Sequence, residues 1–172
     1  VFFLIPRMKF LANFLSYLFH PLYMPLISVF ILLNLPLYIN YKFSASFHIH
    51  IYLIIFVNLM LVPLLFSLYL KKNKLIDSLH LSNVKQRSLP YLISLFFYLF
   101  TILLFNKVGL PRLYLVYLSA AALTLFFLLI FAYFNFKMSA HLAGLGGLCG
   151  VLLAVAVLFS IDNSYLLISF LL

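Results

Sequence analysis

The side chains able to do chemistry gather in two short stretches. The first, Lys85-Gln86-Arg87 with Pro90 close behind, closes the longest polar segment of the chain, 71–90. Arginine presents a planar two-pronged donor and lysine a point charge, and both suit a phosphate. The second is Lys137-Met138-Ser139-Ala140-His141, at the mouth of an apolar run. On a helix, positions 137 and 141 lie one turn apart on one face. They would stand at that helix's N-terminal end, where free backbone N–H groups and the dipole favour an anion. A histidine beside a serine and a lysine can give a proton to a leaving oxygen. Each stretch also has a plainer reading: a solvated, positively charged loop for the first and a helix cap for the second.

The remaining polar residues carry less. His48 and His50 have no acid or cysteine near them in sequence, so no metal site is expected there; no metal or other cofactor is expected elsewhere. Asp77 and His80 stand at helical spacing and read as a local polar contact. His20 with Pro21 reads as the start of a helix, and Asp162 as the turn after an apolar run. Cys149 is the single cysteine and can form no internal disulfide. No glycine-rich nucleotide loop, cysteine cluster or internal repeat is present.

The elements that must position these residues follow from composition. The 172 residues are 67% hydrophobic, 19% aromatic and 8% charged, against roughly 45–50% apolar and about 25% charged for a soluble domain. Too few polar side chains exist to cover a water-soluble fold. Barrel strands would alternate apolar and polar residues, whereas these runs are apolar on every face. The expectation is an all-α, polytopic transmembrane helix bundle, with 1–172 a single transmembrane domain. A spanning helix needs about 20 apolar residues, and five runs qualify: about 22–40, 49–70, 89–106, 113–134 and 140–160. A sixth begins at 164–172 and stops short, and residues 10–20 read as an interfacial helix. Prolines 25, 36 and 63 are expected to kink helices.

Two spans separate the polar stretches, which therefore fall on one side of the membrane and can face each other. The net charge of +9 comes from eleven Lys and Arg against Asp77 and Asp162. Because the bases sit at the ends of apolar runs, membrane lipids or a phosphorylated lipid are the expected partners, not nucleic acid. Arg7, Lys9, Lys71, Lys72, Lys74, Lys85, Arg87 and Lys137 stand on one side, against Lys42, Lys107 and Arg112 on the other. That distribution favours a cytoplasmic N-terminus. Setting aside Lys85, Arg87 and Lys137 as ligand-directed weakens the vote and leaves orientation open. Ala140, Ala143, Gly147, Gly150 and Ala154 recur at steps of three and four, and Gly146 with Gly150 forms a GxxxG. This seam is expected to pack closely on another helix, within the chain or in self-association.

Taken together, His20-Pro-Leu-Tyr-Met-Pro, Lys85-Gln-Arg-Ser-Leu-Pro and Lys137-Met-Ser-Ala-His-Leu-Ala-Gly-Leu-Gly-Gly resemble small bacterial members of the type 2 phosphatidic acid phosphatase superfamily. The resemblance runs from about residue 12 to the end. It implies a six-helix, multi-pass bundle in the bacterial inner (cytoplasmic) membrane that removes phosphate from lipid phosphates or diphosphates. Three motifs are implied: a Lys and an Arg-Pro that hold phosphate, a Pro-Ser-Gly-His-like segment whose His is the general acid, and a His nucleophile oriented by an Asp. Lys85 and Arg87 would then fall in the first motif, and Ser139 and His141 in the second. Lys85, Arg87, Ser139 and Lys137 become the phosphate-binding residues and His141 the catalytic one.

The sequence departs from that pattern in several places. Ser88 and Leu89 separate Arg87 from Pro90, His80 stands seven before Arg87 in place of Lys, Ala140 replaces Gly, and no Pro precedes Ser139. No Ser-Arg…His…Asp follows Asp162, and the chain begins with Val. It is therefore expected to be a product truncated before the third motif. Unless His80 serves as nucleophile, it is expected to be inactive alone. The alternative is a non-enzymatic membrane protein that keeps the bundle for lipid binding or assembly. A transporter has less support, because the spans carry almost no ionisable groups.

Overall fold

The computed structural model describes residues 20–37, 40, 43–78 and 83–159. The expected interfacial helix at 10–20, apart from His20, and the sixth run at 164–172 lie outside them. All regular elements among the described residues are helical. In chain order they are α1 (Met24–Asn34), α2 (Ala45–Lys72), α3 (Ser88–Val108), α4 (Arg112–Tyr133) and α5 (Ala140–Phe159). A 3₁₀ turn, Val84–Arg87, leads directly into α3.

Four of these helices, counting α3 with its leading turn, are long and apolar enough to cross a membrane. Their outward side chains are greasy: Leu103 is 63% exposed, Val116 64% and Leu153 66%. Such a surface suits lipid and not water. The four helices agree with the runs expected at 49–70, 89–106, 113–134 and 140–160, with ends moved by a few residues. The first run behaves differently. Its helix has 11 residues, about 16 Å, where a crossing needs about 30 Å.

Pro36 explains why α1 stops. The residue before a proline is pushed out of the helical region, and Leu35 adopts φ −64°, ψ 144°. Stopping there leaves the Leu32 carbonyl without a helical partner, because Pro36 has no N–H to offer it. Asn40 answers this: its Nδ2 donates to Leu32 O at 2.7 Å and to Leu35 O at 2.9 Å. Its Oδ1 accepts from the Tyr114 hydroxyl on α4. Asn34 donates to the Tyr52 hydroxyl at 3.2 Å, and Tyr52 lies about 10 Å along α2 from its start.

Elsewhere the helix ends have local causes. Ser44 caps α2, its hydroxyl accepting from Phe47 N at 3.3 Å, so the helix starts earlier than the apolar run. Within α2, Phe56–Leu61 widens into a π turn just ahead of Pro63. A proline has no N–H and crowds the preceding turn, and a π turn is one way to make room. Three helices close through a left-handed residue: Lys74 after α2 (φ 58°), Gly109 after α3 (φ 76°) and Asn135 after α4 (φ 61°). At each, the next residue donates back across the turn: Leu75 to Leu70, Leu110 to Phe105 and Phe136 to Phe131. This is the Schellman arrangement.

The antiparallel pair α3–α4 is the most extensive contact of the bundle. On the far side α5 packs against α1 and α4, and α1 against the first part of α2. Tyr114, Leu118 and Ala122, successive turns of one face of α4, are buried together with Leu32, Ile55, Phe105, Leu152 and Val155.

Candidate functional site

Alternating helix directions bring the starts of α1, α3 and α5 and the ends of α2 and α4 to one end of the bundle. Both polar stretches found in the sequence lie there. The first is held as a folded turn. Asn83 Oδ1 accepts from Lys85 N at 3.1 Å, and Ser88 Oγ donates to Lys85 O at 2.8 Å. Gln86 grips the preceding loop reciprocally: Asp77 N donates to its Oε1 at 3.1 Å, and its Nε2 donates to Asp77 Oδ2 at 2.8 Å. Asp77 thus finds a partner in Gln86, while His80, its expected neighbour, lies outside the described residues. Pro90 sits in the first turn of α3, where a missing N–H breaks no helical bond.

Arg87 reaches across the bundle. Its Nη1 donates to the Met138 carbonyl at 2.9 Å, joining residues 51 apart in sequence. The guanidinium also lies near the side chain of Tyr91, in the first turn of α3. A guanidinium carries five N–H groups in a planar fork, so gripping a carbonyl and facing an anion are compatible tasks. The two stretches expected to face each other are therefore in contact.

The second stretch is arranged differently from the expectation. Positions 137 and 141 do not share a helix face, because α5 begins only at Ala140. Phe136 is tied back to Phe131, and Lys137, Met138 and Ser139 run outside the helix, exposed. Ser139 acts as the cap: its Oγ accepts from Leu142 N at 3.4 Å, and its carbonyl accepts from Ala143 N at 3.1 Å. The plainer reading of this serine as a helix cap fits what is observed. Lys85 and Lys137 are exposed beside Arg87 and Met138 respectively.

His141, half-buried in the first turn of α5, meets a residue that the sequence reading did not place in the site. Its ring lies edge-on to that of His20, with centroids 5.6 Å apart and planes at 84°. His20 Nδ1 accepts from Leu22 N at 3.3 Å. Gly144 allows this approach. A Cβ there would lie 3.0 Å from Met24 Cγ and 3.8 Å from Pro21 Cα, so α5 rests directly on the turn that starts α1. The signal for His20 was its place in the His-Pro-Leu-Tyr-Met-Pro string, which spoke of helix geometry and not of chemistry.

Other expectations fall elsewhere. Within the described residues the close contact of α5 is made at Gly144, while Gly146, Gly147 and Gly150 of the expected seam meet nothing within 4 Å. His48 and His50 lie at the opposite end; His50 Nδ1 lies 2.6 Å from Ser46 O, and His48 packs beside Phe43 and Tyr52. Among the described residues no three His, Cys, Asp or Glu side chains come together to hold a metal. Asp162 lies outside the described residues. Comparison with protein-family models, with curated proteins and with solved structures gives no match for this chain.

Proposed function

We propose that this chain binds the phosphate of a membrane lipid phosphate or diphosphate through Lys85, Arg87, Ser139 and Lys137, in the manner of the type 2 phosphatidic acid phosphatases. His141 is the general acid of that site. The bond from Arg87 to the Met138 carbonyl carries the reading, because it sets a guanidinium from one stretch directly against the other. Cleaving a phosphate ester moves the phosphoryl group to a nucleophile while the leaving oxygen gains a proton. Arg87 and the lysines offset charge on the phosphoryl oxygens, and His141 gives the proton. The reading accounts for binding and for the acid; the nucleophile is not assigned to any described residue.

Two features support a lipid ligand. The basic end of the bundle meets helices whose outer faces are apolar. An open groove lined by Leu89, Leu92, Leu129 and Ile130 starts at Ser88 and offers a path for a hydrocarbon chain. In this reading the membrane is the bacterial inner membrane. The α1 segment with its connection to Ser44 makes a fifth, discontinuous crossing, and 164–172 begins a sixth.

The test is phosphate binding and release by the purified protein in detergent, with phosphatidate and a prenyl diphosphate as ligands. Phosphatidate is expected to bind in preference to phosphatidylcholine. Losing the charged hydrogen bonds in Arg87→Ala should weaken binding about tenfold or more. Phosphate release that disappears in His141→Ala would establish an enzyme and make His80 the next residue to replace. Binding without release would support a binding-only descendant. No preference for phosphatidate would overturn the reading.

A further inference from the structure

We propose that α4 carries an anionic phospholipid on its outward face, with the phosphodiester at Arg112 and one acyl chain lying along the helix. The inference goes beyond the lipid phosphate reading and does not rest on it, because Arg112 starts α4 at the end of the bundle away from Lys85, Arg87 and His141.

Three observations carry it. A shallow open groove follows one stripe of α4, lined by Arg112, Leu115, Val116, Ser119, Ala120 and Leu123. Ser119 and Ala120 are small and exposed, so the helix surface dips between Val116 and Leu123. The length of this groove fits one lipid leaflet. The 22 residues of α4 rise about 33 Å and cross a hydrocarbon core of about 30 Å, with Arg112 at one boundary. From Arg112 to Leu123 the helix rises about 16 Å, half of that core and the reach of one acyl chain from its headgroup to the midplane. Charge selects the headgroup. Arg112 is exposed. Of the two acids in the chain, Asp77 is bound to Gln86 at the far end and Asp162 lies outside the described residues. Among the described residues no carboxylate therefore faces Arg112, and Lys107, in the last turn of α3 at the same end, adds a second positive charge. A lipid of net negative charge supplies the missing counter-charge, whereas a choline headgroup brings its own cation. A second copy of this chain is the rival occupant. A two-fold axis along the membrane normal would set Arg112 against its own counterpart at the same depth, and like charges disfavour that pairing.

The chain has no tryptophan, so Leu123→Trp places a single fluorescent reporter at the inner end of the groove. In reconstituted vesicles, phosphatidylglycerol with brominated chains should quench it in preference to brominated phosphatidylcholine. The expected preference is about fivefold, what one basic residue contributes at an anionic membrane surface. Adding Arg112→Gln should abolish the preference, and Arg112→Lys should keep most of it. No preference in the reporter protein, or one that survives Arg112→Gln, would overturn the proposal. Adding Arg87→Ala should leave the preference intact. Its loss there would place the lipid at the other end of the bundle, ending this proposal while the lipid phosphate reading stands. Weak quenching by both lipids together with a cross-linked dimer would make a second copy the occupant, and the proposal would fall. A measurement on the unaltered protein guards against a reporter that disturbs the groove. In native mass spectrometry from detergent it should retain more phosphatidylglycerol than phosphatidylcholine, and Arg112→Gln should lose the excess. Equal retention of the two lipids, or an excess indifferent to Arg112→Gln, would count against the site as firmly as the quenching result.

Discussion

Three polar contacts converge on Asn40: its amide donates to the Leu32 and Leu35 carbonyls, and its side-chain oxygen accepts from Tyr114. Asn40 is 8% exposed and Tyr114 0%, so water cannot replace any of these bonds. Asn40→Ala strands the Leu32 carbonyl and the Tyr114 hydroxyl together and leaves the Leu35 carbonyl only its bond from Leu37 N. With each unsatisfied buried group costing about 1–3 kcal/mol, the variant should lose on the order of 3 kcal/mol, and Tyr114→Phe about 1 kcal/mol. Denaturant unfolding in detergent measures both. Equal stability for wild type and Asn40→Ala would show that the broken helix needs no such cap. None of this was visible in the chain as letters, where Asn40 reads as the polar end of an apolar run. Its partners are main-chain carbonyls and a tyrosine 74 residues away. The Arg87 contact is hidden for the same reason, because a backbone carbonyl is offered by every residue type. What could be read was charge and kind: Lys85, Arg87, Lys137, Ser139 and His141 stood out because phosphate chemistry needs such groups, and the bundle brings the stretches that hold them to one end.

At the scale of the elements, the four long helices were legible because an uninterrupted apolar run of about 20 residues has few other ways to satisfy its backbone in a membrane. Their ends were less so. Capping by Ser44 moved the start of α2 ahead of its apolar run, while α5 starts at Ala140 as its run did, and that start decided that Lys137 and His141 do not share a face. The left-handed closures give a test of this local control. Lys74 adopts φ 58°, a conformation that costs an L-residue about 1–2 kcal/mol. Lys74→Gly should therefore stabilise the protein by up to about 1 kcal/mol, after the greater freedom that glycine gains in the unfolded chain. Gly109→Ala should do the reverse by about 1 kcal/mol, through backbone strain alone, since nothing lies within 4 Å of the added methyl. Paired melting curves would decide. A Lys74→Gly protein less stable than wild type would mean that the lysine side chain contributes more than its backbone costs.

Over the whole molecule, the outward surface is hydrocarbon and the ends are basic. Lys71, Lys72, Lys85, Arg87 and Lys137 gather at the site end, with Lys107 and Arg112 at the other. The helix α5 shows how unevenly the assembly is packed. One face meets α1 through Gly144, and among the described residues nothing lies within 4 Å of a Cβ at Gly146 or Gly150. Leucine at position 144 would collide with Met24 and the turn at Pro21, so Gly144→Leu should cost about 1–3 kcal/mol, the usual range for overpacking. Gly150→Leu should leave thermal stability within about 0.5 kcal/mol, as for a surface change. If Gly150→Leu instead broke up an oligomer in cross-linking, the open face would be a contact between copies, as the small-residue spacing suggested from sequence.

The bond between Asn40 and Tyr114 also bears on the order in which the protein can be made. Ribosomes deliver α1 and Asn40 long before Tyr114, so the first segment enters the membrane with its polar cap only half built. Until α4 emerges, Asn40 can hold the two carbonyls while its own oxygen has no Tyr114 hydroxyl to accept from. The α1 segment is thus made well before the residue that completes its cap, and its placement in the bilayer stays provisional until α4 arrives.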